Sequence, residues 1–230
     1  MSTPIEHVGG ELAPDRGNWF QTASGRAFYP MDPRADEVFI SDIAHALANI
    51  CRFGGHAREF YSVGQHCLLV SFALAPPKEM DQLAAATSTI GVKAYRGLLA
   101  HGLLGLLHDA AEAYIGDMVS PVKHSPQLVG FRQVEDKIEK VIGLRFGLNH
   151  QSFSWGPVKD ADRRMLFTEK RDLRGEGNVP PSLKWEDAEK YPPFEDVKIR
   201  PMPAGVAREA YLERFGDLWQ RLHGEAWSEA

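Results

Sequence analysis

The sequence predicts an all-α helical bundle with a small N-terminal β-hairpin and a C-terminal loop-plus-helix extension. Three observations predict it. Apolar residues recur at spacings of three and four through most of the 230 residues. Capping and stop signals at Ser62, Pro76-Pro77 and Pro157 divide those stretches. Only residues 18–29 alternate as strands do, around Ser24-Gly25. With 43% hydrophobic residues the chain can bury one good core. A single domain is the simplest organisation, its body at about 18–175 and its extension at about 176–230.

Each element follows from local chemistry. Ser41 can cap a helix from Asp42 to about Arg52 with Ile43, Leu47 and Ile50 inward. Ser62 is a second N-cap, and Gln65 three residues on completes a capping box, so His66 falls in the first turn of a helix over 63–74 that Pro76-Pro77 stops. Residues 76–92 are a mixed Ala/Thr/Ser stretch. A third helix is predicted from about Tyr95 to Tyr114. Ser125-Pro126 starts another, with Phe131, Val134, Ile138, Val141 and Ile142 on its apolar stripe and Gly147 at its end. Pro157 opens a helix that carries Asp162 in its early turns. Residues 174–203 lack periodicity and read as loop packed over the body or at a subunit contact. The final helix bears Tyr211, Phe215, Leu218 and Leu222 as a core or dimer stripe.

The run Gly105-Leu-Leu-His108-Asp109-Ala-Ala-Glu112-Ala-Tyr114 breaks an apolar helical pattern with three metal-capable side chains. On a continuous helix His108 and Glu112, four residues apart, project from one face. Such groups in an apolar stretch need pairing, hydrogen bonds or a metal, unless the segment is a helix end meeting water. With His66 and Asp162 at helix starts, the set becomes His66, His108, Asp109 and Asp162. Two imidazoles and two carboxylates suit one divalent metal ion, Co, Mn, Zn, Mg, Fe or Ni, with positions left for water and substrate.

This order, together with His108-Asp109-Ala-Ala-Glu112-Ala-Tyr-Ile-Gly-Asp117-Met-Val-Ser-Pro121-Val-Lys123, resembles the HD-domain metal-dependent phosphohydrolases. It looks most like the subgroup containing bacterial deoxyribonucleoside 5′-monophosphate nucleotidases and phage-type dNTP triphosphohydrolases. The stretch from Ile43 through Arg52-Phe53-Gly-Gly-His56 to Ser62-Val63 and His66 is similar to the substrate-facing first helix of those relatives. The resemblance covers roughly 18–175 and implies that Glu112 and Asp117 serve catalysis. It departs at Gly64 and Cys67, where Ala and Ser are expected, and at 76–92, which reads as an insertion.

Chemistry gives the same roles. Glu112 could accept the proton of an attacking water and Asp117 could protonate or orient the leaving oxygen, although Asp117 also suits a cap on the Gly116 turn. Arg52 is the leading phosphate contact because a guanidinium matches phosphate oxygens in a fork, with a surface arginine at a helix end as the alternative. Phe53 can wall the sugar or base, or belong to the core. Lys123 can add positive charge or be a solvated lysine, and His56 is a further substrate-side candidate. His101, two turns before His108, reads as packing or an indirect hydrogen bond; His7, His45, His124, His150 and His223 read as structural or surface residues.

The expected activity is 5′-nucleotidase hydrolysis of deoxynucleoside monophosphates; the alternatives are a dNTP triphosphohydrolase and a non-catalytic nucleotide-binding protein. A net charge of −5 argues against a polyanion surface, so the expected partner is a small nucleotide and not polymeric nucleic acid. Apolar runs are too short for a membrane span and no targeting segment is read, so a cytoplasmic homodimer or higher homo-oligomer is expected, with Cys51 and Cys67 as reduced thiols.

Overall fold

The computed structural model describes residues 16–75, 89–174, 187 and 189–229, and in these a two-stranded hairpin precedes a set of packed helices. Strands β1 (Phe20–Gln21) and β2 (Ala27–Phe28) pair antiparallel, Phe20 opposite Phe28 and Gln21 opposite Ala27. Gly25 takes φ +86° in the turn, a conformation that suits glycine. The buried Asp42 carboxylate accepts from Ser24 N and Oγ, each at 2.7 Å, and fastens the hairpin tip to the first helix.

Helix α1 runs Ile40–Asn49, and two expectations about it are corrected. Ser41 is not the N-cap. It lies inside the first turn, and its N–H and hydroxyl donate to the Glu229 carboxylate at 2.9 and 2.8 Å, so an acid from the far end of the chain serves the positive end of the helix. The helix also stops short of Arg52, because Ile50 and Cys51 are extended and pair back: Val63 N donates to Ile50 O at 3.0 Å and Arg52 N to Tyr61 O at 2.8 Å. The loop between them is thus closed at its neck.

Helix α2 (Val63–Leu74) begins as expected, with Ser62 Oγ accepting from Gln65 N at 3.1 Å. The returning half of the capping box is absent. Gln65 instead donates to Arg200 O and accepts from Met202 N, both at 2.8 Å, which clips the segment before the last helix onto α2. Gly64 is explained by packing: a Cβ there would lie 3.1 Å from Ala48 N, so α1 and α2 approach backbone to backbone.

Helix α3 spans Thr89–Leu107 and ends before His108, not at Tyr114. Residues 76–88 of the expected insertion lie outside the described residues; 89–92 form the first turn of α3. After Leu107 the bonds tighten to three-residue spacing: Ala110 N to Leu107 O, Glu112 N to Asp109 O, Ala113 N to Ala110 O. The tightening accompanies a contact at His108, whose Nδ1 turns back to Gly105 O at 2.8 Å. A separate short helix, α4 (Glu112–Ile115), follows and closes on Gly116 at φ +81°.

Short α5 (Ser120–Lys123) leads to α6 (Val129–Arg145), which starts later than expected because Ser125-Pro126 forms only a 3-10 turn over Pro126–Leu128. Phe131 is half-buried while Ile138 and Ile142 reach the core. Helix α7 (Gly156–Leu173) has Pro157 in its first turn, and α8 (Ala204–His223) ends at Gly224 in the left-handed region.

Ile43 and Leu47 of α1, Leu103 and Leu107 of α3, and Ile142 of α6 share one buried cluster with Tyr211, Phe215, Leu218 and Leu222 of α8. The last stripe is therefore core of the same chain, each large side chain contributing roughly 1.5–3 kcal/mol of burial. Tyr211 adds a buried donor, to Leu106 O at 2.7 Å. Residues 189–203 of the predicted loop pack on α7, where Thr168 Oγ1 accepts from Phe194 N at 3.0 Å and Asp172 accepts from Ile199 N at 2.8 Å. Among the described residues no helix is long and apolar enough to cross a membrane.

Candidate metal and phosphate site

Three helical segments bring the four expected ligands together. His66 enters from the first turn of α2, His108 and Asp109 from the tight turn after α3, and Asp162 from α7. His66, His108 and Asp109 offer ligand atoms within 4.8 Å of one another. Asp162 joins through the histidines, its Oδ1 lying 3.1 Å from His66 Nε2 and 4.0 Å from His108 Nε2. His108 Nε2 is 3.2 Å from Asp109 Oδ2 and 3.3 Å from His66 Nε2. In a four-coordinate site with bonds of about 2.1 Å, neighbouring ligand atoms sit about 3.4 Å apart, so these separations match a divalent cation's shell.

The electrostatics agree with that fit. Each ring has its Nδ1 engaged, His108 with Gly105 O and His66 with Glu169 Oε1 at 2.6 Å, which directs both Nε2 atoms at the carboxylate oxygens. Burial would lower both histidines, and Arg52 opposes His66 as well, yet Glu169 and Asp162 raise His66, while Asp109 and Cys67 hold His108 well above its usual range. Without a metal ion, protons must balance these acceptors. Asp109 and Asp162 stay ionised against burial because His108 and His66, respectively, face them.

Arg52 turns into the site, as expected, and not towards solvent. Its Nε donates to Glu169 Oε2 at 3.1 Å, and its terminal nitrogens lie 3.5 Å from Asp109 and 3.7 Å from Asp162. Burial opposes its charge, but those three carboxylates hold it well above its ordinary range. The neighbouring Phe53 adopts φ 60°, ψ 26°, an uncommon conformation for a bulky residue, and its ring lies near the guanidinium groups of Arg52 and Arg174 at 5.4 and 5.1 Å.

A cavity of about 720 Å³ opens over this cluster. Arg52, Phe53, His56, Asp109, Asp117 and Asp162 line it, as do Glu112 and Lys123, so eight of the ten expected site residues face one space. Of the other two, His66 is fully buried and the His108 side chain is nearly so, and they meet Asp162 and Asp109 respectively. Glu112 is 5% exposed, and its Oε2 has no hydrogen-bond partner among the described residues. Burial, Asp109 and Asp117 push its carboxyl well above the usual range. Burial also raises Asp117, more weakly. Lys123 is not simply solvated: its ammonium lies 2.6 Å from Glu135 Oε1 on α6.

The sequence reading missed Glu169 and Tyr61, both fully buried, with Tyr61 OH donating to Glu169 Oε1 at 2.9 Å. A signal existed, since Glu169 follows Asp162 by seven residues on the same face of α7, in line with buried Val158 and Met165. His124, read as a structural or surface residue, lines the cavity, as do Lys159 and Arg163. His101 packs against Trp155, ring centres 4.6 Å apart, and burial lowers its pKa. Cys51 and Cys67 are free thiols, and burial pushes Cys67 up to about 11.

No family model matches the chain. Uncharacterized protein YfdR of Escherichia coli (strain K12) is 35% identical over 201 residues, spanning 87% of this chain and 96% of that protein. The chain belongs to the YfdR family. Uncharacterized protein RCAP_rcc00048 of Rhodobacter capsulatus is similar too, at 36% identity over 132 residues, which cover 56% of this chain and 59% of that protein. The match to YfdR extends across nearly its whole length and is not confined to one segment. Neither name states an activity, and the chemistry is therefore argued from the side chains.

Proposed function

We propose that the chain is an HD-type, metal-dependent phosphohydrolase that cleaves the 5′ phosphoester of deoxynucleoside monophosphates. The observation that carries this reading is the convergence of His66, His108, Asp109 and Asp162 beneath a cavity that also presents Arg52 and Lys123. Those four residues would hold the ion. When bound, a divalent ion lowers the pKa of water and neutralises charge on a phosphoryl oxygen.

The remaining steps belong to side chains. Arg52 grips phosphate oxygens with its planar fork, Lys123 adds charge across the cavity, and Phe53 and His56 border the nucleoside end. Glu112 Oε2 accepts a proton from the attacking water as the new P–O bond forms. The P–O5′ bond breaks, and Asp117 donates its proton to the leaving oxygen, releasing nucleoside and phosphate.

A second reading, dNTP triphosphohydrolase activity, is favoured by Lys159, Arg163 and Arg174, further cations on the cavity wall that could meet additional phosphates. Incubating the protein with dNMPs, NMPs and dNTPs in the presence of Mn, Co, Mg or Zn, with products resolved by chromatography, separates the readings. Orthophosphate from dNMPs supports the first and tripolyphosphate from dNTPs the second. No turnover of any nucleotide with any of the metals leaves the non-catalytic binding protein.

A further inference from the structure

We propose that Glu169 is a positioning residue of this site: one carboxylate oxygen holds His66 as its Nδ1–H tautomer, so that Nε2 presents a lone pair to a metal ion, while the other orients Arg52. The inference rests on the metal-binding reading above and deepens it. His66 and Glu169 are both fully buried, with Nδ1 2.6 Å from Oε1. An ionised carboxylate only accepts, so the proton of a neutral His66 ring belongs on Nδ1. The opposite face of the ring would favour the other tautomer, because Asp162 Oδ1 waits 3.1 Å from Nε2 as an acceptor. Glu169 decides that competition.

Its own orientation is over-determined. Tyr61 OH donates to Oε1 at 2.9 Å and Arg52 Nε to Oε2 at 3.1 Å, so the carboxylate cannot rotate without breaking contacts to three residues. Helix α7 supplies both Asp162 and Glu169, two turns apart, and a rigid rise therefore sets the distance between one ligand and the group that aims another. A glutamine at this position would keep an acceptor for His66 and Tyr61 but turn an N–H donor towards Arg52. Glu169→Gln thus separates the two tasks, whereas Glu169→Ala removes both.

The test is a long-range 1H–15N correlation on metal-free, 15N-labelled protein at alkaline pH, where the ring is neutral, combined with zinc titration against a competing chelator. His66 signals are assigned by their loss in His66→Gln. The expected wild-type pattern has the proton on Nδ1. Glu169→Gln retains that tautomer, keeps zinc affinity within about tenfold and weakens nucleotide binding. Glu169→Ala loses the tautomer bias and about 10- to 100-fold in zinc affinity. A wild-type ring protonated on Nε2, or wild-type zinc affinity in Glu169→Ala, overturns the proposal. Should the alanine variant fail to fold, the wild-type tautomer and the glutamine variant decide it. Wild-type protein that binds no zinc, manganese or cobalt overturns the metal reading instead, and the tautomer measurement reports on Glu169 independently.

Discussion

His66 Nε2 and His108 Nε2 face each other at 3.3 Å, lone pair towards lone pair when both rings are neutral, because each Nδ1 is committed elsewhere. A proton or a metal ion placed between them relieves that arrangement.

Metal content tests it directly. Chelation should abolish nucleotide hydrolysis and His108→Ala should reduce the metal bound by purified protein. Full metal occupancy with normal turnover in Asp109→Ala would sink the ligand assignment. Both histidines hold protons above their usual pKa in the metal-free protein. An incoming ion must displace those protons, so zinc affinity should rise as pH climbs through the raised values and level off above them. Affinity independent of pH would show that other atoms bind the ion.

Glu112→Ala should keep the metal and the nucleotide yet lose about 10²- to 10⁴-fold in turnover, the usual effect of deleting a general base. The reason is that Glu112 lines the cavity, keeps a buried Oε2 without a hydrogen-bond partner among the described residues, and lies outside the four-residue cluster. Single-turnover rates equal to wild type would assign proton transfer to another group.

Arg52→Lys preserves charge but removes the fork that meets Glu169 on one side and the cavity on the other. Nucleotide kcat/KM should fall about ten- to a hundredfold, matching roughly 1.5–3 kcal/mol for a charge-assisted hydrogen bond. Weak binding of a nucleoside without phosphate should not change. Unaltered kcat/KM in both Arg52→Lys and Arg52→Ala would shift the phosphate contact to Lys123.

Stability has its own pH signature. Burial and Glu135 raise Glu139 from 4.5 to about 7, against the pull of Lys123. The folded state therefore holds a proton that the unfolded chain has released. Its stabilising effect is complete below about pH 4.5 and is lost as pH rises through about 7. Glu139→Gln should stabilise the protein relative to wild type by on the order of 1–3 kcal/mol at mildly alkaline pH, and by little in acid. Urea midpoints measured at both ends of that window check it; an identical difference at each pH would remove Glu139 as the cause.

The four clustered side chains were legible because each one disturbs a local pattern: His108-Asp109 interrupts an apolar run, Ser62 marks the turn that holds His66, and Pro157 marks the helix that holds Asp162. What escaped depends on distant partners. Glu169 finds Tyr61, His66 and Arg52 across 108, 103 and 117 positions of sequence, so no window of neighbouring residues reveals its task. The helix ending at Leu107 was hidden for a related reason, since the three-residue bonding around His108 accompanies a ring-to-carbonyl contact and not a glycine or proline. Gln65 was half legible: its backbone obeys the capping rule while its amide serves Arg200 and Met202.

The cap on Ser41 sets a timetable for synthesis. Its carboxylate partner, Glu229, is 188 residues downstream, so on a ribosome adding about 5–20 residues per second the first helix waits roughly 10–40 s for its acidic cap. During that interval α1 lacks the contact that later secures its opening turn. Nascent chains stalled before position 229 should therefore be cut by protease in the opening turn of α1 more readily than released chains.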